Sequence, residues 1–361
     1  MATAGLLVLV IGAAVVLYQQ RSPTAPLFSG PVNSMHFFSA SEGWVLSGRL
    51  LVTRDGGSHW REISPGPRIP PMEFSEASFL DPLHGWAVTV GGLNVPSDVI
   101  RIFRTMDGGN TWASSQIRAE AHLGLSLDFV DPRDGWLIVG TETGTTASAG
   151  RLFRTADGSA TWSELPPPPS GHPVHFIDLT TGWNVGGASL NQLYISTDGG
   201  HVWRQQSVPV PPDYADIAFE LALPTFVDRQ LGILRVMFPD GSVLLEFTTD
   251  GGATWSIDSS RAPLFIRRPP YPSGNVDAPT FFGKGVMAVL LGTELYVQSG
   301  SGWKSIKPRG LDSVLQIEFL NPHIGWALAS SQSCPAGPYG GCLRVLWTAD
   351  GGYAWEPIPV R

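Results

Sequence analysis

The chain has 361 residues, and 31 acidic against 23 basic side chains give it a formal net charge of −8. Hydrophobic residues make up 43% of the chain, which excludes disorder throughout, and a single apolar run excludes a polytopic membrane protein. The acidic balance and the lack of a basic block argue against nucleic acid as a partner. The many Gly (42), Pro (31) and Trp (13) residues are typical of short strands joined by tight turns.

The N-terminal segment, residues 1–20, is apolar and uncharged from Leu6 to Tyr18. We expect one hydrophobic helix here that anchors the chain in a membrane; a cleaved export signal is the alternative. Pro26 directly follows Ala25, the best small residue for a cleavage site, and this favours the anchor. Residues 21–31 are then a linker. In both cases the rest of the chain is expected outside the cytoplasm, in a periplasm, in a lumen or at the cell surface.

Six copies of a predicted turn, named the Asp-Gly turn here, recur along the rest of the chain. Each copy has Ser or Thr two residues before the Asp, Gly directly after it and Trp five residues after it. The short carboxylate can accept backbone N–H groups of its own turn, and Gly permits the positive φ that such a turn requires. This pattern predicts a structural role for Asp55, Asp107, Asp157, Asp198, Asp250 and Asp350.

The spacing of these turns sets the number of repeats. Successive Asp residues are 52, 50, 41, 52 and 100 residues apart. The last interval spans two repeats, and residues 298–303 within it form a degenerate copy that lacks the Asp. A second motif, an apolar strand ending in Phe and followed by Gly-Trp, also counts seven copies, of which those at Phe226 and Phe282 are degenerate. Each unit can be divided into four short strands. The two motifs therefore predict an all-β, seven-bladed β-propeller with four-stranded antiparallel blades over residues 32–361.

The Asp-Gly turn resembles the Asp-box, or BNR repeat. Together with the Phe-x-Asp-Pro-x-x-Gly-Trp segment that begins at Phe79, it resembles the photosystem II stability/assembly factor family and its bacterial relatives. The resemblance covers about residues 31–361. It implies a seven-bladed propeller that works outside the cytoplasm as an assembly factor and binds membrane-protein subunits without catalysis. Asp-boxes also occur in sialidases, xyloglucanase-type hydrolases and sortilin-type receptors, so a secreted glycan-active hydrolase is the alternative function.

The enzyme alternative requires a pair of carboxylates at a set separation. The candidates outside the Asp-Gly turns are Asp81, Asp131, Asp134, Asp178, Asp228 and Glu318. Most of them recur at equivalent places after a first strand, which indicates a role in a turn. Arg68-Ile69-Pro70 resembles a sialidase motif but follows the first Asp-Gly turn, whereas the sialidase motif precedes it. We therefore expect a chain without catalytic residues and without a cofactor. We also expect no metal site, since His172 and His175 are only two candidate ligands with no third beside them in the sequence.

The candidate partner-binding residues lie in an irregular insertion, residues 261–277. Arg267, Arg268 and Tyr271 concentrate positive charge beside an aromatic ring on an otherwise acidic chain. Side chains of this kind often anchor protein interfaces, so we expect them to contact a protein partner, with a membrane-protein subunit as one such partner.

The two cysteines, Cys334 and Cys342, flank a Gly- and Pro-rich loop. They are predicted to form a disulfide, in keeping with an oxidising compartment; two free thiols are the alternative.

Overall fold

The computed structural model describes most of the chain beyond the N-terminal segment. The described residues are 34–46, 49–65, 74–92, 95–121, 124–141, 148–240, 242–257, 280–282, 286–291, 294–299, 302–311, 314–331 and 342–358. The predicted N-terminal helix, the Arg267–Arg268–Tyr271 cluster and Cys334 of the predicted disulfide lie outside these ranges. Within them, no helix has the length and apolar character needed to cross a membrane.

The described strands form seven four-stranded antiparallel sheets, which confirms the all-β, seven-bladed propeller. Blades 1 and 2 contain β1 (Ser34–Phe37), β2 (Gly43–Leu46), β3 (Leu50–Thr53), β4 (Arg61–Glu62), β5 (Glu76–Phe79), β6 (Gly85–Gly92), β7 (Val95–Thr105) and β8 (Ala113–Arg118). Blades 3 and 4 contain β9 (Leu125–Phe129), β10 (Gly135–Thr141), β11 (Ala149–Thr155), β12 (Ser163–Glu164), β13 (Val174–Phe176), β14 (Gly182–Gly186), β15 (Gln192–Ser196) and β16 (Arg204–Gln206). A short 3-10 turn, Pro212–Tyr214, follows.

The remaining blades continue in the same order. Blade 5 contains β17 (Glu220–Leu221), β18 (Thr225–Phe226), β19 (Gly232–Met237) and β20 (Val243–Thr248). Blades 6 and 7 contain β21 (Thr280–Phe282), β22 (Val286–Leu291), β23 (Glu294–Ser299), β24 (Gly302–Ile306), β25 (Val314–Phe319), β26 (Gly325–Ser331), β27 (Cys342–Thr348) and β28 (Glu356–Pro357). First strands of neighbouring blades lie side by side, as β5 beside β9 and β9 beside β13, so they surround the centre of the ring.

The ring closes through side chains, because blades 1 and 7 are each built from consecutive strands. The Gln316 side chain accepts a hydrogen bond from the Met35 backbone N–H at 2.9 Å and donates one to the Met35 carbonyl at 2.7 Å. The Phe37 ring stacks on Trp326 of blade 7 with centroids 4.1 Å apart. Blade 1 is thus held against blade 7 although 281 residues separate Met35 from Gln316 in the chain.

The Phe and Gly-Trp motif packs one blade on the next. In blade 2, a Cβ added to Gly85 would lie 2.2 Å from the Phe79 ring, so only glycine fits beneath that ring. Trp86 then stacks on Phe129 of blade 3, with ring centroids 3.6 Å apart. The same Trp-on-Phe stacking joins blade 3 to blade 4 and blade 7 to blade 1. The motif therefore joins neighbouring blades, in addition to forming the strand, turn and strand that the sequence predicts within one blade.

Blade 5 departs from the regular pattern. Its first strand is split into β17 and β18, which both pair with β19. Pro224 lies between the two pieces and lacks the N–H that a continuous ladder requires. Among the described residues, the outer strand of this blade is represented by one bridge between Phe247 and Ser256. Its motif Trp is replaced by Ile233, so one of the two degenerate sequence copies corresponds to an irregular blade.

Candidate functional site

In six of the seven blades, two described turns lie side by side on one face of the disc. In blade 2, the backbone N–H of Gly108 in the Asp-Gly turn donates to the Leu83 carbonyl in the turn between the first two strands, at 3.0 Å. Five other blades repeat this bond through the first glycine of their Asp-Gly turn, with donors Gly56, Gly158, Gly199, Gly251 and Gly351. These paired turns form the surface named the turn face here. It comprises residues 38–42, 54–59, 80–84, 106–111, 130–134, 156–161, 177–181, 197–202, 227–231, 249–254, 320–324 and 349–354.

Each Asp-Gly turn is tied together by its own carboxylate. The Thr105 hydroxyl donates to Asp107 Oδ1 at 2.9 Å and accepts from the Gly109 N–H at 2.7 Å. Asp107 also accepts from the Thr111 backbone N–H at 2.9 Å and from the Thr111 hydroxyl at 2.6 Å. Equivalent bonds between the Ser or Thr hydroxyl and the carboxylate occur at Asp55, Asp157, Asp198, Asp250 and Asp350. The carboxylates therefore hold the turns in one conformation.

The hydrogen bonds within these turns also fix their charge. Bonds from the Thr111 side chain and backbone lower the pKa of Asp107 to about 2, and Thr161 has the same effect on Asp157. A carboxyl group with such a pKa is ionised throughout the physiological range, so it has no proton to give as a general acid. These two turns thus present fixed negative charges.

Thr105→Val is expected to lower the free energy of unfolding by about 1–3 kcal/mol, because the buried Gly109 N–H loses its acceptor. Thr105→Ser is the matched control, since Ser196 fills this place in blade 4 and accepts from Gly200 at 2.8 Å. The measurement is urea unfolding followed by Trp fluorescence. Equal losses in the Val and Ser variants would show that the hydroxyl does not support the turn.

The carboxylates considered for a glycosidase pair all take part in bonds within the fold. Asp81 Oδ1 accepts from the backbone N–H groups of Leu83 and His84 at 2.7 and 2.9 Å. Asp131, Asp178 and Asp228 make the same pair of bonds, and Asn321 makes them in blade 7. Asp134 lies 3.4 Å from the Arg154 guanidinium, and Glu318 accepts from the Phe37 N–H. These bonds explain why most of these acids recur at equivalent positions.

Two His–carboxylate pairs link neighbouring first strands near the centre of the ring. His36 Nδ1 lies 3.0 Å from Glu318, and His175 Nδ1 lies 3.5 Å from Asp128. Asp128 also accepts from the Phe176 N–H, so each acid bonds the first strand of the next blade. All four residues directly precede a motif Phe, and this position is the sequence signal by which they could have been found.

The pKa of His175 depends on its partner Asp128. Burial lowers the pKa of His175, but the hydrogen bond and the charge of Asp128 more than offset it, so the pKa is raised above the ordinary value. The pair therefore stabilises the fold fully below the unfolded-state pKa of histidine, and this stabilisation is lost as the pH rises through the raised pKa.

Asp128→Asn is expected to lower the pKa of His175, because the amide keeps an acceptor for the Phe176 N–H but carries no charge. The measurement is NMR titration of protein labelled at histidine, with His175→Gln used to assign the signal. His36 is the internal control, since its partner is Glu318, and its pKa should stay in place. An unchanged His175 titration would contradict the assignment of Asp128 as its partner.

Exposed apolar side chains are concentrated on the turn face. Among the described residues, seven large hydrophobic side chains are exposed, and six of them lie on this face: Leu83, Met106, Leu179, Val202, Leu320 and Tyr353. They form one pair each on blades 2, 4 and 7. The seventh, Ile217, is 41% exposed and lies in the linker between β16 and β17, on the opposite face. Sequence reasoning missed these pairs. The signal that could have found four of the six side chains is an apolar residue at a turn position that is polar or small in the other blades, as at Leu83, Met106, Val202 and Tyr353.

The described ranges contain no group of three or more His, Cys, Asp or Glu side chains placed to hold a metal ion.

Several solved propellers are similar to this chain. YCF48 bound to D1 peptide is 19% identical, with 79% of this chain and 81% of that chain covered and a TM-score of 0.47. The GH74 xyloglucanase from Xanthomonas campestris is 12% identical, with 90% and 55% covered and a TM-score of 0.38. The extracellular domain of a putative hybrid two-component system from B. thetaiotaomicron is 11% identical, with 90% and 39% covered and a TM-score of 0.52.

These similarities concern the fold. No protein-family model matches the sequence, and no curated protein is similar to it.

Proposed function

We propose that this chain is a non-catalytic propeller that binds a protein partner outside the cytoplasm, as an assembly or stability factor for a membrane-protein complex. The observation that carries the proposal is the set of six exposed apolar side chains on the turn face. Single exposed apolar residues are ordinary on soluble proteins, but their concentration on one surface is typical of an interaction site.

The construction of the turn face supports this role. The Thr105, Asp107 and Thr111 bonds and their counterparts in other blades fix the backbone that carries Leu83, Met106 and the other exposed side chains. A surface that is already ordered loses little conformational entropy on binding, which favours affinity. In the YCF48 structure the bound molecule is a peptide, and a polypeptide is also the ligand proposed here.

Two further parts of the proposal rest on sequence. The segment 1–20 would tether the propeller to a membrane and so place it near membrane-protein subunits. Arg267, Arg268 and Tyr271 would add a second contact with the partner. The six carboxylates considered for the hydrolase alternative all bond within the fold, which argues against a catalytic pair among them.

The test immobilises the full chain, applies detergent-solubilised membranes of the host, and identifies retained proteins by mass spectrometry. We expect one membrane-protein subunit to be retained by the wild type and by the control variant Ile217→Ser, and lost from Leu83→Ser/Met106→Ser. Arg267→Ala/Arg268→Ala tests the second contact in the same way. Retention of nothing specific, or equal retention by the wild type and the Leu83→Ser/Met106→Ser variant, would overturn the role of the turn face.

A further inference from the structure

We infer that the segment bound by the turn face is apolar and positively charged, as in a cationic amphipathic helix. This inference deepens the proposed function and rests on it. Two independent features of the turn face carry it, the distribution of charge and the placement of the exposed apolar side chains.

The turn face is strongly acidic. Its turns contain twelve carboxylates, with one Asp in each of the six Asp-Gly turns and the others at Glu42, Asp81, Asp131, Asp134, Asp178 and Asp228. Against them stand six arginines. Arg54, Arg133 and Arg229 lie in the turns, and the guanidinium groups of Arg61, Arg104 and Arg154 reach Gly108, Asp157 and Gly199 from adjacent strands. A surface of one predominant sign attracts partners of the opposite sign and repels an anionic lipid surface.

The negative charges lie directly beside the exposed apolar side chains. The Asp81 carboxylate accepts from the backbone N–H of Leu83 at 2.7 Å, and Met106 precedes Asp107 in the chain. In blade 4, Asp198 accepts from the N–H of Val202 at 2.9 Å. In blade 7, Asp350 accepts from the N–H of Tyr353, also at 2.9 Å. An apolar group that reaches these side chains therefore comes within a few ångströms of a fixed anion.

The three arginines in these turns belong to other blades. Arg54, Arg133 and Arg229 belong to blades 1, 3 and 5, whereas the exposed apolar pairs belong to blades 2, 4 and 7. Arg54 nevertheless lies beside Gly108 and Leu83 of blade 2, and Arg61 donates to the Gly108 carbonyl at 3.1 Å, so this pair has cationic as well as acidic neighbours. Carboxylates still outnumber arginines on the face as a whole.

Lysine and arginine fit such a surface because their aliphatic stems cover apolar groups while their charged ends reach carboxylates. The described residues contain an example of a cation over one of the exposed rings. The ammonium of Lys304, in β24 of blade 6, lies 5.0 Å from the centre of the exposed Tyr353 ring of blade 7, where Asp350 holds the turn. A partner segment with alternating basic and apolar groups would repeat this arrangement on blades 2 and 4.

Blade 7 shows that an asparagine can replace the aspartate in the turn between the first two strands and still accept the same hydrogen bonds. Asn321 in blade 7 accepts from the N–H groups of His323 and Ile324 at 2.9 and 3.0 Å, as Asp81 and Asp178 do in their blades. Asp81→Asn/Asp178→Asn therefore removes two charges beside the apolar pairs of blades 2 and 4. Asp131→Asn is the matched control, because it makes the same change on blade 3, which has no exposed apolar pair.

The probes are two fluorescein-labelled 18-residue helical peptides with the same leucine face, one with lysine and the other with glutamate on the polar face. Fluorescence anisotropy with the full chain should show binding of the lysine peptide and none of the glutamate peptide. We expect Asp81→Asn/Asp178→Asn to weaken binding of the lysine peptide about tenfold at low salt, and Asp131→Asn to change it less than threefold. Hydrogen exchange should place the protected amides on the turn face.

Equal binding of both peptides, unchanged affinity in Asp81→Asn/Asp178→Asn, or protection confined to the opposite face would each overturn the inference. Thermal unfolding of each variant checks that its fold is intact. The membrane capture experiment separates this inference from the proposed function. Loss of the captured subunit in Leu83→Ser/Met106→Ser but not in Asp81→Asn/Asp178→Asn would keep the function and reject the charge requirement, whereas loss in neither would reject the function.

Discussion

Glu246→Met is expected to raise the free energy of unfolding, and the gain should grow as the pH rises from 5 to 9. Glu246 lies on β20 opposite Leu234, and it shares that face of the sheet with Leu244. The side chain is fully buried, and neither carboxylate oxygen has a hydrogen-bond partner within the part of the chain that the structure describes. An unbranched methionine has a similar length and fills the same space without a polar group.

The pH dependence follows from the pKa of this carboxyl group. Burial raises the pKa of Glu246 from 4.5 to about 8. Between these two pKa values the unfolded chain releases the proton while the folded chain keeps it. The free energy of unfolding therefore falls as the pH rises through this range, and the loss is constant above the pKa of the folded state. At 1.36 kcal/mol for each pH unit, the penalty removed by Glu246→Met at pH 9 is on the order of 3–5 kcal/mol.

The measurement is urea unfolding of the wild type and the variant at pH 5, 7 and 9. Glu246→Gln is the control. It also removes the ionisation, so its gain over the wild type should grow with pH in the same way, but the buried amide that it leaves should make the gain smaller at each pH. Glu76, whose pKa burial raises to about 7, is present in every protein and cancels in the comparison. A gain that is the same at all three pH values would show that Glu246 does not hold its proton in the fold.

The number of blades could be predicted from the sequence because each blade repeats two short motifs whose chemistry is local. The hydroxyl, carboxylate and N–H groups of an Asp-Gly turn lie within five residues of each other, as Thr105 and Gly109 do, so a single copy shows what the residues do. Blade 5 could be recognised only as degenerate. That Pro224 divides its first strand follows from the pairing of β17 and β18 with β19.

The interactions between blades could not be predicted, because the residues that make them are far apart in the sequence. Trp86 stacks on Phe129, and Asp128 bonds the backbone of Phe176, across distances of 43 and 48 residues that no local spacing indicates. The exposed apolar pairs were missed because Leu83 and Met106 are 23 residues apart and become neighbours only when the Gly108 N–H bonds the Leu83 carbonyl. The partner-binding residues suggested by sequence, Arg267 and Arg268, lie outside the described residues.

Trp136→Ala is expected to lower the free energy of unfolding by about 3–5 kcal/mol, the usual cost of truncating a buried tryptophan. Trp136 has no exposed surface, and its ring stacks on Phe176 of blade 4 with centroids 3.8 Å apart and an interplanar angle of 5°. Its Nε1–H donates to the Gly199 carbonyl at 3.0 Å, also in blade 4. The truncation therefore removes packing and a buried hydrogen bond from one interface between blades.

Two further variants test this explanation. Trp203→Ala should cost less, because that half-buried ring donates to Gly200 in its own turn at 3.2 Å. Trp136→Ile should also cost less than Trp136→Ala, since Ile233 takes this place in blade 5. Urea unfolding gives the three values, and hydrogen exchange should show faster opening of β10 and β13 in Trp136→Ala. Equal losses in Trp136→Ala and Trp203→Ala would mean that a tryptophan stacked between blades contributes no more to the free energy of unfolding than a tryptophan bonded within its own turn. A larger loss for Trp136 would place the main stabilisation of the ring at the contacts between its blades.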